Sequence, residues 1–284
     1  MLKIQTRLVR RYIATIFFAI VISSQASANE KLDRLFGLGP LDAFTVQSET
    51  LGRDFHIYVR LPLDYEESSC EWPVVYLLDG GILFPMLAPY QLMLEIDELA
   101  PPVVMVGISY GGLSFSNGNY RSTDYTAPAE EPAFYGGAAS YQDFLADELI
   151  PRINADYRVD QQKSLVLGQS LGGQFTLLTA LSRPALFGNY LAINPALHNN
   201  VAYFKQLKPA ERATATPILI TRSTEERPRF SGPLQQWLGH WQSNGNESLA
   251  LELQWLPNQH HASSAPIAYQ KAIQWWSPST CVEQ

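Results

Sequence analysis

Gly168-Gln169-Ser170-Leu171-Gly172 fits the pattern G-x-S-x-G, in which a serine occupies a sharp turn between a strand and a helix. The apolar run Leu165-Val166-Leu167 precedes it, and a helical pattern over 174–181 follows. Such an elbow lifts the hydroxyl above the sheet edge, and glycines two before and two after it allow close backbone approach. A serine hydroxyl is a poor nucleophile until a base removes its proton, and the base needs a partner that fixes its tautomer. The chain order expected behind such an elbow is serine, acid, histidine. A tight turn with a spare serine is the reading that the motif alone leaves open.

Both partners can be sought by elimination. No Asp follows Asp160, so an acid downstream of Ser170 must be Glu211, Glu225, Glu226, Glu247, Glu252 or Glu283. Of these, Glu225 and Glu226 lie in a loop directly after an expected buried strand over 217–220, and Glu225 is the preferred acid. Among five histidines, His56 lies upstream in a hairpin, His198 precedes the acid, and His240 sits among Trp237, Leu238 and Trp241 on a helical pattern. His260 and His261 follow the last strand and precede the last helix, where the base belongs. The developing oxyanion needs two backbone N–H donors. Leu171 supplies one and Gly81, in the loop Leu78-Asp79-Gly80-Gly81, is assigned the other, although a Gly-Gly pair also serves as a plain turn. This chemistry calls for no metal or cofactor, and no metal-ligand spacing is present.

The elements that must position these groups alternate between strand and helix. Segments 43–51 and 54–61 flank Gly52-Arg53, and Phe55, Ile57, Val59 and Leu61 alternate as in a hairpin with one buried face. Unbroken apolar runs follow at 73–78, 103–108, 164–167, 189–193 and 217–220, suiting strands covered on both faces of a parallel sheet. Helical patterns lie between them, including 138–157, and an edge strand over 249–256 and a helix over 265–276 close the chain. The expectation is one three-layer α/β domain over 29–284, with a mostly parallel sheet and an N-terminal antiparallel hairpin. Segment 111–137 is longer than an ordinary connection and should project from the C-terminal strand edge, where open α/β sheets place ligands. Tyr110 just before it and Tyr120, Tyr125 and Phe134 within it could stack on an aromatic acyl group, and Arg222, Arg227 and Arg229 could meet an anionic ligand. Loop packing and solvated charge are the ordinary alternatives.

Composition removes other classes. With 284 residues, 46% hydrophobic and 17% charged, the chain can build a sizeable core. A net charge of −7 disfavours a nucleic-acid partner. Lys3, Arg7, Arg10 and Arg11, an apolar run over 12–23 and Ala26-Ser27-Ala28 have the order of a cleavable signal peptide over 1–28. That run is too short to span a membrane, so a periplasmic or secreted protein without a lasting membrane anchor is expected. Loss of 1–28 removes four basic and no acidic residues, leaving 16 basic against 27 acidic, a net of −11. In an oxidising compartment Cys70 and Cys281 could pair, or both could remain thiols.

Taken together, these residues resemble the esterase D–like family of α/β-hydrolases, which includes periplasmic siderophore esterases and feruloyl esterases. The resemblance covers nearly all of the chain after residue 28. It rests on Val75-Tyr76-Leu77-Leu78-Asp79-Gly80, on Tyr120-Arg121-Ser122-Thr123-Asp124-Tyr125-Thr126 and on Phe144-Leu145 through Tyr157-Arg158. The Gly168–Gly172 elbow and His261-Ala262-Ser263-Ser264-Ala265-Pro266 complete it. The last segment resembles the family's His-small-Ser pattern, which implies His261 as base. The implied activity is hydrolysis of a small-molecule carboxylic ester through an acyl-enzyme on Ser170, with Arg121, Tyr125 and Arg222 as candidate substrate contacts. A Ser–His dyad, an acyltransferase and a non-catalytic binding protein are the alternatives.

Overall fold

Helices cover both faces of the central strands, which is why those strands are continuous apolar runs. The structure, a computed structural model, describes residues 36–211, 213–244 and 247–279. The expected signal peptide, and Cys281 of the expected pairing with Cys70, lie outside the described residues. Eight strands form one sheet: β1 (Leu41–Ser48), β2 (Arg53–Arg60), β3 (Trp72–Leu77), β4 (Val104–Ser109), β5 (Val159–Gln169), β6 (Asn189–Ile193), β7 (Thr216–Ser223) and β8 (Leu249–Leu256). Their spatial order is β1-β2-β4-β3-β5-β6-β7-β8, with β1/β2 and β2/β4 antiparallel and every later pair parallel.

The period of two in a strand sorts the core into two layers. Val74, Tyr76, Val166 and Ile218 face one layer, against Phe144, Phe175 and Trp237. Val75, Leu77, Leu165 and Leu167 face the other, against helix α1 (Gly80–Ile96) and the last helix (Ala265–Trp276). The α/β class and the antiparallel start expected from sequence are both present. Among the described residues, no helix is long and apolar enough to cross a membrane.

Three expectations shift in detail. The strand expected over 164–167 begins at Val159, because Val159 and Asp160 pair with Trp72 and Pro73 of β3 before the register shifts and pairing resumes at Ser164. The helix expected over 138–157 is interrupted by a π turn at Leu145–Leu149. Pro151, just inside the following segment Ile150–Asp156, has no N–H for the preceding turn, and the wider turn absorbs the break. The hairpin is buried on more than one face, because α1 packs over the second and Arg60 is wholly buried there.

Candidate active site

Strand β5 ends at Gln169, and helix Leu171–Ser182 starts two residues later, so all of the turn falls on Ser170. Ser170 takes φ 59° and ψ −113°, a positive-φ conformation that costs a non-glycine residue energy. Neighbouring strands hold it there: its N–H donates to the Ile193 carbonyl at 2.9 Å, and its carbonyl accepts from Ala196 at 3.0 Å. A Cβ at Gly168 would lie 2.3 Å from the Gly172 carbonyl carbon, so glycine is required. Gly172 differs from the sequence expectation, since a Cβ there would make only ordinary contact, at 3.5 Å from Asp79 Oδ2. The crowded partner is Gly173, whose Cβ would stand 2.7 Å from the Ile193 carbonyl oxygen.

His261 Nε2 lies 2.8 Å from Ser170 Oγ, and His261 Nδ1 lies 2.5 Å from Glu226 Oε1. A carboxylate only accepts, so Nδ1 carries the proton and Nε2 is left to accept from the serine hydroxyl. The acid in contact is therefore Glu226, correcting the preference for Glu225. Glu225 is exposed, its N–H donates to the Gln259 carbonyl at 3.0 Å, and its side chain accepts from Thr224 Oγ1 at 3.2 Å. The Glu226 side chain is 1% exposed, so its charge is shielded from bulk water beside the imidazole. Phe230 stacks on the His261 ring with centroids 4.2 Å apart and planes 18° apart, fixing the ring's rotation. His260 contributes its carbonyl, which accepts from Ser223 Oγ.

Two amides that sequence reasoning passed over tie the histidine loop to the strands. Gln169 Nε2 donates to the carbonyls of His261 and Ala262 at 2.6 and 2.9 Å. Asn194, in a left-handed conformation after β6, accepts from the Ser223 N–H and donates towards Ser223 Oγ, the His261 carbonyl and Ser264 Oγ. No sequence pattern marked Asn194, because its role depends on β6 lying beside β7.

Gly81 and Ser170 line the same cleft, and Leu171 is the first residue of its helix. Gly81 and Leu171 both lie in the first turn of a helix, where N–H groups lack intrahelical acceptors. The cleft holds about 580 Å³, and Gly111, Gly112, Leu113, Asn119 and Arg121 bring the long loop to its wall. Arg121 donates through Nε and an Nη to the two oxygens of Asp79, at 2.7 and 2.8 Å.

Two candidate substrate contacts are placed elsewhere. Tyr125 is fully buried and its hydroxyl accepts from the Asp79 N–H at 3.1 Å, because the loop folds inward onto the aromatic core formed with Tyr141 and Phe175. Burial pushes its phenol above the ordinary range. Arg222 lies on β7 outside the cleft, with its guanidinium 4.7 Å from the Trp255 ring centroid and a hydrogen bond to Gln235. Strand pairing of Arg222 with Trp255 sets that position. Arg227 lines a smaller recess of about 250 Å³ with Glu225, Phe230 and His260, on the other side of His261.

The model of the family described as "Putative esterase" matches residues 48–267. Ferri-bacillibactin esterase BesA of Bacillus subtilis is 30% identical over 194 residues, covering 59% of this chain and 65% of that protein. An apo-salmochelin esterase of Escherichia coli is 26% identical, covering 51% of this chain and 48% of its own length. The chain thus spans between about half and two thirds of these two relatives. Siderophore hydrolase EstA from Aspergillus nidulans superposes with a TM-score of 0.69 at 21% identity, covering 84% of this chain and 94% of its own, which establishes the shared fold.

Proposed function

Because the chain belongs to the Esterase family, we propose that it is an exported serine hydrolase of carboxylic esters, acting through an acyl-enzyme on siderophore or aromatic esters. The observation carrying this reading is the continuous chain of contacts from Ser170 Oγ through the His261 ring to the buried Glu226. In the proposed cycle His261 Nε2 takes the Ser170 proton as Oγ attacks the ester carbonyl. The oxyanion accepts from the N–H groups of Leu171 and Gly81. The imidazolium then protonates the departing alcohol. Water, deprotonated in turn by His261, attacks the acyl carbonyl, and the imidazolium returns the proton to Ser170 Oγ as its bond to the acyl carbon breaks and the acid is freed. Export is supported by the signal-like order of residues 1–28. The ester class is supported by the similarity to a ferri-bacillibactin esterase and an apo-salmochelin esterase.

Labelling of the purified chain by a fluorophosphonate tests the reading. Wild type should be labelled and Ser170→Ala should not, with turnover of p-nitrophenyl acetate falling ~10⁴-fold or more. An unlabelled wild type would overturn it. Hydrolysis of feruloyl and enterobactin esters, assayed side by side, separates the two substrate classes.

A further inference from the structure

Asp79 stands next to both expected oxyanion donors. It immediately precedes α1, whose second residue is Gly81, and it takes φ 54° and ψ 39°. On the other side its Oδ2 would lie 3.5 Å from a Cβ at Gly172, the residue after Leu171. The turn that carries Gly81 is held from three directions. A Cβ at Gly80 would lie 2.4 Å from the Ile108 backbone nitrogen, so the Gly80 backbone rests directly on β4. The Asp79 N–H donates to the Tyr125 hydroxyl at 3.1 Å. Arg121 grips both carboxylate oxygens through Nε and an Nη, at 2.7 and 2.8 Å. Arg121 and Tyr125 begin and end a single helical turn of the long loop, Arg121–Asp124 with Tyr125 as its cap. Asp124 pins that turn in place by accepting from Arg53 and from the Tyr110 hydroxyl.

A bare carboxylate here would oppose the proposed reaction. Negative charge develops on the substrate oxygen in the cleft that Asp79, Gly81 and Ser170 line together, and a like charge nearby raises the energy of that state. The Asp79 side chain is 15% exposed and the Arg121 side chain 28%, so solvent screens the site only in part. A two-pronged guanidinium supplies both remedies at one contact, cancelling the charge and fixing its direction. We propose that Arg121 is a positioning residue for ester hydrolysis: it acts through Asp79, neutralising the carboxylate and holding the turn that aims the Gly81 N–H at the oxyanion. This rests on the hydrolase reading and goes beyond it by giving the long loop a part in the chemistry.

Kinetics on p-nitrophenyl acetate provide the test. Arg121→Gln leaves Asp79 charged and ungripped, so kcat should fall about 10²-fold with KM within about twofold, as for a displaced group that acts in the transition state. Asn is tolerated in the left-handed conformation, so Asp79→Asn removes the charge and keeps the turn. The double variant Asp79→Asn with Arg121→Gln should therefore be at least about tenfold faster in kcat than Arg121→Gln alone. A merely structural role predicts the opposite, two changes costing at least as much as one. A double variant no faster than Arg121→Gln, or an Arg121→Gln enzyme whose loss lies in KM, overturns the proposal. Should either variant fail to fold, Arg121→Lys decides. It keeps a charge opposite Asp79, so kcat should stay within about tenfold of wild type at unchanged KM, and a larger loss or a raised KM overturns the proposal. Wild type that is neither labelled by fluorophosphonate nor active would remove the hydrolase reading and this proposal together, whereas a labelled, active wild type confines any failure to the role of Arg121.

Discussion

At the scale of single residues, the neighbouring carboxylates Glu225 and Glu226 have sharply different surroundings. Glu226 touches His261 Nδ1 and is shielded, while Glu225 points into solvent. Replacing Glu226 by Gln keeps the shape but offers an amide that can donate to Nδ1, favouring the wrong imidazole tautomer. We expect Glu226→Gln to lower kcat by about 10²–10⁴-fold with little change in KM, and Glu225→Gln to stay within about twofold. Steady-state kinetics on one p-nitrophenyl ester decides this, and the reverse ranking would restore Glu225 as the acid. Ser170 was legible because an elbow is a local pattern, and His261 followed from chain order together with the family resemblance. The choice between adjacent glutamates was not legible. It depends on the direction in which the turn 224–227 leaves β7, and no side-chain property separates the two residues.

Elements were legible where apolar periodicity was strong and less so where a polar residue is buried against another layer. Arg60 illustrates the second case. It ends β2 on the face opposite Phe55, Ile57 and Val59, where a one-faced hairpin would leave it in water. Instead α1 covers that face, and Arg60 donates to both oxygens of Glu95 at 3.0 and 2.8 Å. Gln91 joins the cluster by donating to Glu95 and to the Pro101 carbonyl, and Tyr269 of the last helix donates to Gln91. One ion pair thus links the hairpin to both helices of this layer. Truncating one member of a buried pair is far costlier than replacing both, because the remaining charge stays desolvated. Arg60→Ala should therefore destabilise the fold by about 3–5 kcal/mol in urea titration, and the double change Arg60→Met with Glu95→Leu by much less. If both variants lose the same stability, packing rather than charge accounts for the site.

For the whole molecule, strand order converts separate stretches of sequence into one site. Ser170 after β5, Glu226 after β7 and His261 after β8 meet only because parallel strands place all their C-terminal ends on one edge. The alternation of elements made that edge predictable. The packing between its loops was not, since it is made by contacts such as Asn194 to Ser264 that span 70 residues. His198 shows a consequence at this scale. Its Nδ1 is buried without a partner among the described residues, and the edge of its ring meets Phe230, behind which His261 is stacked. Burial, helped by the nearby Arg229 and His261, pushes its imidazole below the ordinary value of 6.5. The folded state therefore keeps His198 neutral where the unfolded chain would already bind a proton. The resulting stability is complete above about pH 6.5 and declines as the pH falls below it. One such proton can change stability by at most about 1.4 kcal/mol per pH unit, and partial exposure of the ring reduces this. His198→Gln removes the titration, so urea midpoints of wild type and variant should diverge less at pH 5.5 than at pH 7.5 if the wild type has lost this contribution. A constant difference across that range would show that His198 titrates alike in the folded and unfolded chains.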